Sequence, residues 1–231
     1  MHGTIDITDM TGSQVIEPAI LYFGTPVVLI GSTNEDGSPN LAPMSSAWWV
    51  GWRCMLGLAR NSKTTENMIR TGECVLNLPS ANLVDAVNRL ARTTGSNPVP
   101  AGKIKRGYRH EKDKFEIAGL TRLASETVAA PRTAECPVQI EAKVTYVHEM
   151  AQEDEVWRGN LVAIEVRVTR VHAHPQIMMD GEPNRIDPDK WRPLIMSFAQ
   201  FYGLTPQKLQ RSELGQIPET AYKPPGWRPA A

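Results

Sequence analysis

The sequence predicts a mainly β fold, an antiparallel barrel with short helical insertions. Three observations support this fold class. At least six segments carry strand patterns, an Asp36-Gly37 turn joins two of them, and nothing shows the alternation of strands with long helices that a parallel sheet requires. With 231 residues, of which 41% are hydrophobic and 22% charged, the chain can bury a substantial core.

The predicted elements follow one another with short connections. Strands are expected at 26–30, 39–44, 53–59, 73–78, 138–146 and 162–168. A helix is expected over 64–71, with Gly72 at its C-terminus. Leu83, Val87 and Leu90 share one face at helical spacing and predict a second helix.

Two segments lie outside this pattern. Residues 93–112 are rich in Gly, Pro, Lys and Arg, and loops of this length in a compact domain are either functional or poorly ordered. The tail after Pro218 is proline-rich, and we expect it to be extended and either free or draped over a neighbouring surface.

Composition argues against several classes of protein. Lys and Arg together number 25, as do Asp and Glu, so the chain lacks the basic excess that grips nucleic acid. No apolar run is long enough to span a bilayer, and the first ten residues show no secretory signal. Cys54, Cys74 and Cys136 are an odd number without CxxC spacing, which favours reduced thiols. We therefore expect a cytoplasmic protein with neither a nucleic-acid nor a membrane partner.

Six consecutive residues with hydrogen-bonding side chains precede and begin the first helix. They are Arg60, Asn61, Ser62, Lys63, Thr64 and Thr65, with Asn67 one turn later. A helix N-terminus attracts anions, and charge-assisted hydrogen bonds contribute about 1.5–3 kcal/mol each, so this loop could hold a phosphate ester. The alternative is that Ser62 or Thr64 caps the helix while Lys63 lies in solvent, and the loop alone does not separate the two. The absence of Walker and GxGxxG patterns argues against nucleoside triphosphate and Rossmann sites.

A second unusual stretch, residues 40–49, ends the hairpin with small polar residues followed by two tryptophans. Small side chains at a strand end let the backbone approach a flat ligand. For Trp48, Trp49 and Trp52, packing in the core or in a dimer interface is the competing interpretation. His172 and His174 form an HxH pair, but no third ligand can be nominated, so we expect surface histidines and no metal site.

Five motifs occur in the order DGxPNLAPMSS, LxLxRNSKTxxN, GECVLNLPS, DKFxxAGL and APRxAECPVQIEAKV. From about Thr25 to Val171 they resemble the flavin reductase-like family, which includes flavoredoxins and the reductase components of two-component monooxygenases. The resemblance implies an FMN-binding split β-barrel, antiparallel and Greek-key-like. It divides the chain into an N-terminal extension (1–24), the barrel domain (25–172) and a C-terminal extension (173–231) that packs on the barrel or on a dimer partner.

The resemblance also implies a set of flavin-binding residues. The flavin phosphate would be held by Arg60, Asn61, Ser62, Lys63, Thr64 and Asn67. The ring edge and ribityl chain would lie along one strand that carries Pro43, Met44, Ser45, Ser46, Ala47 and Trp48, beside Asn77 and Leu78. Asp113-Lys114-Phe115 matches a further motif, to which no contact is assigned.

The function implied is that of an NAD(P)H-dependent flavin reductase. In the family a nicotinamide stacks on the flavin and passes a hydride to it, so no side chain is nominated as catalytic. FMN is expected, with FAD as the fallback, in a homodimer that could pass electrons to a monooxygenase or another acceptor. One alternative is an FMN-binding electron-transfer protein, flavoredoxin-like and reduced by a partner protein. Another is a module without flavin whose loop grips a different phosphate.

Overall fold

The structure, a computed structural model, describes residues 12–210, 212–223 and 225–226. Residues 1–11 of the predicted N-terminal extension lie outside the described residues, as do several positions of the proline-rich tail. Strands are β1 (Phe23–Pro26), β2 (Val28–Thr33), β3 (Pro39–Met44), β4 (Ala47–Val50), β5 (Arg53–Ala59), β6 (Glu73–Leu78), β7 (Thr93–Thr94), β8 (Arg109–His110), β9 (Arg122–Leu123), β10 (Arg132–Thr133), β11 (Val138–Glu149), β12 (Leu161–Ala173), β13 (Met178–Met179), β14 (Glu182–Ile186), β15 (Leu194–Ser197) and β16 (Gln200–Gly203). Helices are α1 (Lys63–Thr71), α2 (Val84–Leu90), α3 (Ala101–Ile104) and α4 (Lys114–Ala118).

One antiparallel sheet of seven strands dominates the fold, in the order β3-β2-β6-β11-β12-β5-β4. Its two edge strands, β3 and β4, are consecutive in the chain and are joined only by Ser45 and Ser46. So short a connection spans at most about 11 Å, so the sheet must curl until its edges approach each other at this end. The mainly β, antiparallel barrel predicted from the sequence is thereby confirmed.

The barrel interior is built by alternation along the long strands. Cys54, Leu56 and Leu58 of β5 point inward and pack with Val162 and Ile164 of β12 and with inward residues of the other strands. The strands predicted from alternating patterns are confirmed, and β11 and β12 run further than predicted, to Glu149 and Ala173.

A second hydrophobic cluster lies on the outer face of β2 and β3, where α2 and α4 pack. Val87 and Leu90 of α2 are fully buried there against Leu29 and Phe115, while Leu83 lies at the rim. This confirms the helix predicted from the spacing of its apolar residues. The cluster also fixes where α4 begins, and therefore where Lys114 lies.

Part of the C-terminal sixty residues packs against the barrel. β15 pairs with β1 and β16 in a separate three-stranded sheet. The Val27 amide donates to the Leu194 carbonyl at 2.8 Å, and the Leu194 side chain belongs to the second cluster. The boundaries 1–24, 25–172 and 173–231 stay a prediction. Among the helices of the described residues, none has both the length and the apolar character needed to cross a bilayer.

Candidate functional site

A cleft of about 1040 Å³ opens where the β3–β4 connection, the start of α1 and the segment after α2 meet. Its apolar walls include Leu58, Val87 and Leu90. Eight of the residues predicted to hold a flavin line it: Pro43, Met44, Ser45, Ser46, Asn61, Ser62, Lys63 and Thr64. The structure therefore brings two sequence-distant motifs to one cleft.

The β3–β4 connection reaches the cleft because it lies directly on β5. The Gly57 amide donates to the Ser46 carbonyl at 2.8 Å. A Cβ added to Gly57 would lie 3.2 Å from the Ser46 Cβ, which is tighter than ordinary van der Waals contact. Glycine at this position thus permits the close approach that places Ser45 and Ser46 at the cleft.

Ser62 is the N-cap of α1. Its Oγ accepts a hydrogen bond from the Thr65 amide at 3.1 Å and lies 2.8 Å from the Thr65 hydroxyl, which itself donates to the Ala59 carbonyl. The capping alternative weighed from the sequence is therefore present in the structure. The loop is shaped by its own hydrogen bonds.

The next two residues of the loop also have internal partners. The Lys63 ammonium lies 2.7 Å from the Glu66 carboxylate. The buried Thr64 hydroxyl accepts a hydrogen bond from the Asn40 side-chain amide at 3.1 Å. These contacts hold the start of α1 against β3 and the rim of the cleft.

Six predicted residues lie outside the lining of the cleft. Arg60 pairs with Glu149 at 2.5 Å, and the buried Asn67 amide donates to the Asn34 side chain at 2.8 Å. The buried Asn77 amide donates to the Leu29 carbonyl at 3.0 Å, so it ties strands together. The other three are Ala47 in the barrel core, Leu78 packed against that core, and Trp48 on the exposed face of the edge strand.

The segment 93–112, a long loop in the sequence-based prediction, borders the cleft. Its β7 pairs in parallel with β8, which encloses α3. Gly95 anchors it, because a Cβ added there would lie 2.8 Å from the Asn40 Oδ1 and 3.0 Å from the Lys63 Cγ. The segment is thus held against the start of α1.

Cations of this segment line the cleft. Lys103 donates from its ammonium to the Thr94 hydroxyl at 3.1 Å. Lys103 and Arg106 both lie near the Tyr108 ring, at 5.9 and 5.6 Å from its centroid. Burial, and then repulsion from Arg106, lower the pKa of Lys103, while Glu66 acts in the opposite direction. The arrangement concentrates positive charge near the start of α1.

Lys114, the first residue of α4, is the most unusual cation of the site. It lines the cleft, yet its side chain is almost wholly buried, with 3% of the residue exposed. Burial, and then repulsion from Lys103, lower its pKa to about 7, while Glu111 acts to raise it. Within the described part of the chain, the Lys114 ammonium has no hydrogen bond and no ion pair.

Sequence reasoning did not assign Lys103, Arg106 and Lys114 to the site. The sequence did single out the composition of 93–112 and the Asp113-Lys114-Phe115 motif as unusual. Neither feature showed that these three residues line the same cleft as the start of α1. Their position depends on the packing of α4 on the outer face of the barrel. The pattern within either segment cannot show that contact.

A separate polar cluster lies away from the cleft. The buried Glu141 carboxylate accepts hydrogen bonds from the Glu126 and Thr127 amides, and His172 Nε2 lies 2.8 Å from it. His172 is therefore half-buried and bound to a carboxylate rather than a free surface residue, while His174 caps a 3₁₀ turn. The described residues include no group of three or more metal-ligating side chains.

Comparison with known proteins agrees with this architecture. The sequence profile of the Flavin reductase like domain matches residues 20–187. The Bacillus subtilis (strain 168) protein YdfE is 39% identical over 189 residues, which cover 82% of this chain and 88% of YdfE.

Two solved structures share the fold. Flavoredoxin of Desulfovibrio vulgaris (Miyazaki F) has a TM-score of 0.69 at 19% identity, covering 89% of this chain and 100% of the flavoredoxin. Nitrilotriacetate monooxygenase component B from Bacillus cereus has a TM-score of 0.65 at 20% identity, covering 82% and 88% respectively. The fold is therefore that of the split-barrel flavin reductases. The chain belongs to the flavin reductase-like family.

Proposed function

We propose that this protein binds FMN in the cleft and works as an NAD(P)H-dependent flavin reductase. The observation that carries the proposal is the cleft itself. The cleft combines apolar walls with the cations Lys63, Lys103, Arg106 and Lys114, which suits a flat apolar ring that ends in a phosphate. Membership of a flavin-binding family also supports the proposal that the cleft binds FMN.

The residues present fit an FMN molecule. The β3–β4 connection offers Ser45 and Ser46 with their backbone to the ring edge, and Asn61 has a side chain exposed at the cleft. The Lys114 side chain is almost wholly buried and its ammonium has no ion-pair partner within the described residues, so an anion in the cleft would supply one. A bound flavin supplies the hydride and electron chemistry. The chain binds and orients it and leaves one face open to a nicotinamide, and we nominate no catalytic side chain.

A homodimer forms part of the proposal, with the exposed Trp48 at its interface and a monooxygenase or another acceptor as the partner that receives electrons. Trp48 is 56% exposed on the edge strand β4, next to Val50 at 68%. Contiguous apolar surface of this kind is typical of interfaces. Cys54, Cys74 and Cys136 are buried free thiols, which supports a reducing compartment such as the cytoplasm.

The visible spectrum of the purified protein, followed by anaerobic addition of NADH or NADPH, tests this function. We expect a flavin spectrum after loading with FMN, and bleaching of the flavin band on addition of one of the nicotinamides. A flavin that stays oxidised with both nicotinamides but is reduced by dithionite would favour the electron-transfer alternative. A protein that takes up no flavin would overturn the proposal.

A further inference from the structure

The phosphate-binding loop predicted from the sequence is largely occupied by its own contacts. Ser62 caps α1, Lys63 pairs with Glu66, and the Thr64 hydroxyl accepts from Asn40. Arg60 pairs with Glu149 and lies outside the lining of the cleft. A phosphate at this loop would find Lys63, the cation of the loop that lines the cleft, already paired with Glu66, so a further cation is needed to balance its charge.

Lys114 is such a group. Its side chain is almost wholly buried in the wall of the cleft, and within the described residues its ammonium has neither an ion-pair partner within 4.0 Å nor a hydrogen bond. Native proteins rarely bury an amine without a partner, because removing the charge from water is costly. An unpartnered ammonium at the wall of a ligand-sized cleft is explained if the ligand brings the opposite charge.

The surroundings of Lys114 specify that charge. Lys103 and Arg106 line the same cleft, and Lys103 is close enough to Lys114 to lower the pKa of Lys114. Glu111 is the carboxylate nearby, and it lies beyond ion-pair distance of Lys114. Glu111 and Glu66 are the acidic residues that act on these three cations, so a net positive charge remains, which favours an anion over a neutral group.

The same cations lie close to the start of α1. Gly95 packs against the Lys63 side chain, and the next residue toward the N-terminus, Thr94, accepts the hydrogen bond from Lys103. Lys103 of α3 therefore lies close to the helix N-terminus that the sequence marks as an anion site, and Lys114 of α4 lies close enough to Lys103 for its pKa to be lowered by it. A single phosphate group could touch both.

We propose that Lys114 binds the phosphate of the flavin directly, so that the phosphate lies between the N-terminus of α1 and the cations Lys103 and Lys114. This inference rests on the proposed binding of FMN in the cleft. It differs from the sequence interpretation, which placed the whole phosphate contact within Arg60–Thr64 and Asn67.

Riboflavin, which lacks the phosphate, separates this contact from binding of the ring. Fluorescence quenching gives the Kd of FMN and of riboflavin for the wild type, for Lys114→Met and for Lys112→Gln. Lys112 is the matched control, because it carries the same charge two residues away but is exposed and lies outside the cleft lining. We expect Lys114→Met to weaken FMN at least tenfold and riboflavin less than twofold, and Lys112→Gln to change neither appreciably.

The melting temperatures of the ligand-free variants separate a binding role of Lys114 from a purely structural one. If Lys114 only stabilised the fold, its replacement would lower the melting temperature. Lys114→Met removes a buried charge without a partner, so its melting temperature should rise even as FMN binding weakens. Lys114→Gln, a polar replacement of similar length, repeats the test if the Met variant does not fold.

The outcomes distinguish this inference from the proposed function. A wild type that prefers FMN to riboflavin, with the same preference in Lys114→Met or Lys114→Gln, would overturn the role of Lys114 alone. A lower melting temperature in both variants with an unchanged preference would assign Lys114 to the fold. A wild type that binds neither flavin would overturn the proposed function itself.

Discussion

The Lys63 ammonium lies 2.7 Å from the Glu66 carboxylate, three residues further along the first turn of α1. This pair keeps a cation of the cleft partly neutralised by an acidic side chain that is itself nearly half exposed. A phosphate bound beside Lys63 would have to compete with Glu66 for the same ammonium.

Glu66→Gln should therefore strengthen FMN binding. Exposed ion pairs contribute about 0.2–1 kcal/mol, so we expect the FMN affinity to rise by a factor of roughly 1.4 to 5 while riboflavin affinity stays unchanged. Flavin fluorescence titrations measure both. Asp85→Asn is the control, since Asp85 is an exposed acid in the first turn of a different helix, α2. An equal gain for riboflavin would argue that Glu66 acts on the ring and not on the phosphate.

Gly95→Ala should disturb the closure of the cleft. A Cβ at this position would lie 2.8 Å from Asn40 Oδ1 and 3.0 Å from Lys63 Cγ, so the 93–112 segment would have to shift. We expect a destabilisation of about 1–3 kcal/mol and weaker FMN binding, measured by urea unfolding and titration. Gly102→Ala in α3 is the control, because a Cβ there has no heavy atom within 4 Å. A Gly95→Ala variant as stable as the Gly102→Ala variant would contradict this packing.

Affinity for FMN should fall as the pH rises above neutrality. Lys114 has a pKa of about 7 without ligand, so it loses its proton above that pH. A phosphate dianion favours the charged amine and raises this pKa, so binding takes up a proton and is weakened between about pH 7 and pH 9. Lys103 and Glu111 act on the same amine, and they remain in the Lys114→Met variant.

Titrations across this pH window are the measurement. The FMN affinity of the wild type should drop with pH, whereas riboflavin binding and FMN binding by Lys114→Met should stay level. The same slope in wild type and variant would place the titrating group elsewhere.

The strand pattern shows how far the sequence alone could go. The Asp36-Gly37 turn and the alternation at 138–146 and 162–168 predicted elements that the structure confirms, because period-two burial is a local property. The single strand expected to carry residues 43–48 was wrong, because the chain leaves β3 after Met44 and begins a separate strand, β4, at Ala47. Its place at the opposite edge depends on the curl of the whole sheet.

The candidate site likewise contains residues that local sequence patterns predict and residues whose position depends on tertiary packing. Pro43–Ser46 and Asn61–Thr64 carry local patterns, and the structure brings them to one cleft. Lys114 lies fifty-one positions after Lys63 in the sequence. Lys114 is buried because Phe115 and α4 pack against β3 and α2. A local sequence pattern cannot predict this long-range packing.

Acid should unfold the protein partly through Glu141. Burial alone raises the pKa of this carboxyl, but hydrogen bonds from Glu126, Thr127 and His172 outweigh burial and bring the pKa to about 2. Because the pKa of the Glu141 carboxyl is lower in the folded protein than in the unfolded chain, where it is near 4.5, its ionised form stabilises the fold at a pH above 4.5. This stabilisation is lost as the pH falls toward 2.

Glu141→Gln should therefore cost about 2–3 kcal/mol at neutral pH and less near pH 3, measured by urea unfolding at each pH. Glu116→Gln, at an exposed position of α4, should show no such dependence. A cost for Glu141→Gln that stays constant between these pH values would contradict the role of the ionised carboxylate.

Trp48→Ala should weaken the proposed dimer. Trp49 and Trp52 pack against the barrel core, which leaves Trp48 as the exposed member of the three. We expect light scattering to report a dimer of the 25.6 kDa chain for the wild type and a shift toward monomer in the variant. Val156→Ala, at another exposed apolar residue, should not shift it. A wild type that is monomeric at micromolar concentration with FMN bound would remove the interface role of Trp48.

A crystal structure of the FMN complex tests the central claim most directly. We expect the ring to lie along Pro43–Ser46, and the phosphate to lie in the cleft within hydrogen-bonding distance of the Lys114 Nζ and of the first turn of α1. A flavin bound outside this cleft, or a phosphate directed into solvent with the Lys114 ammonium still without a partner, would contradict it.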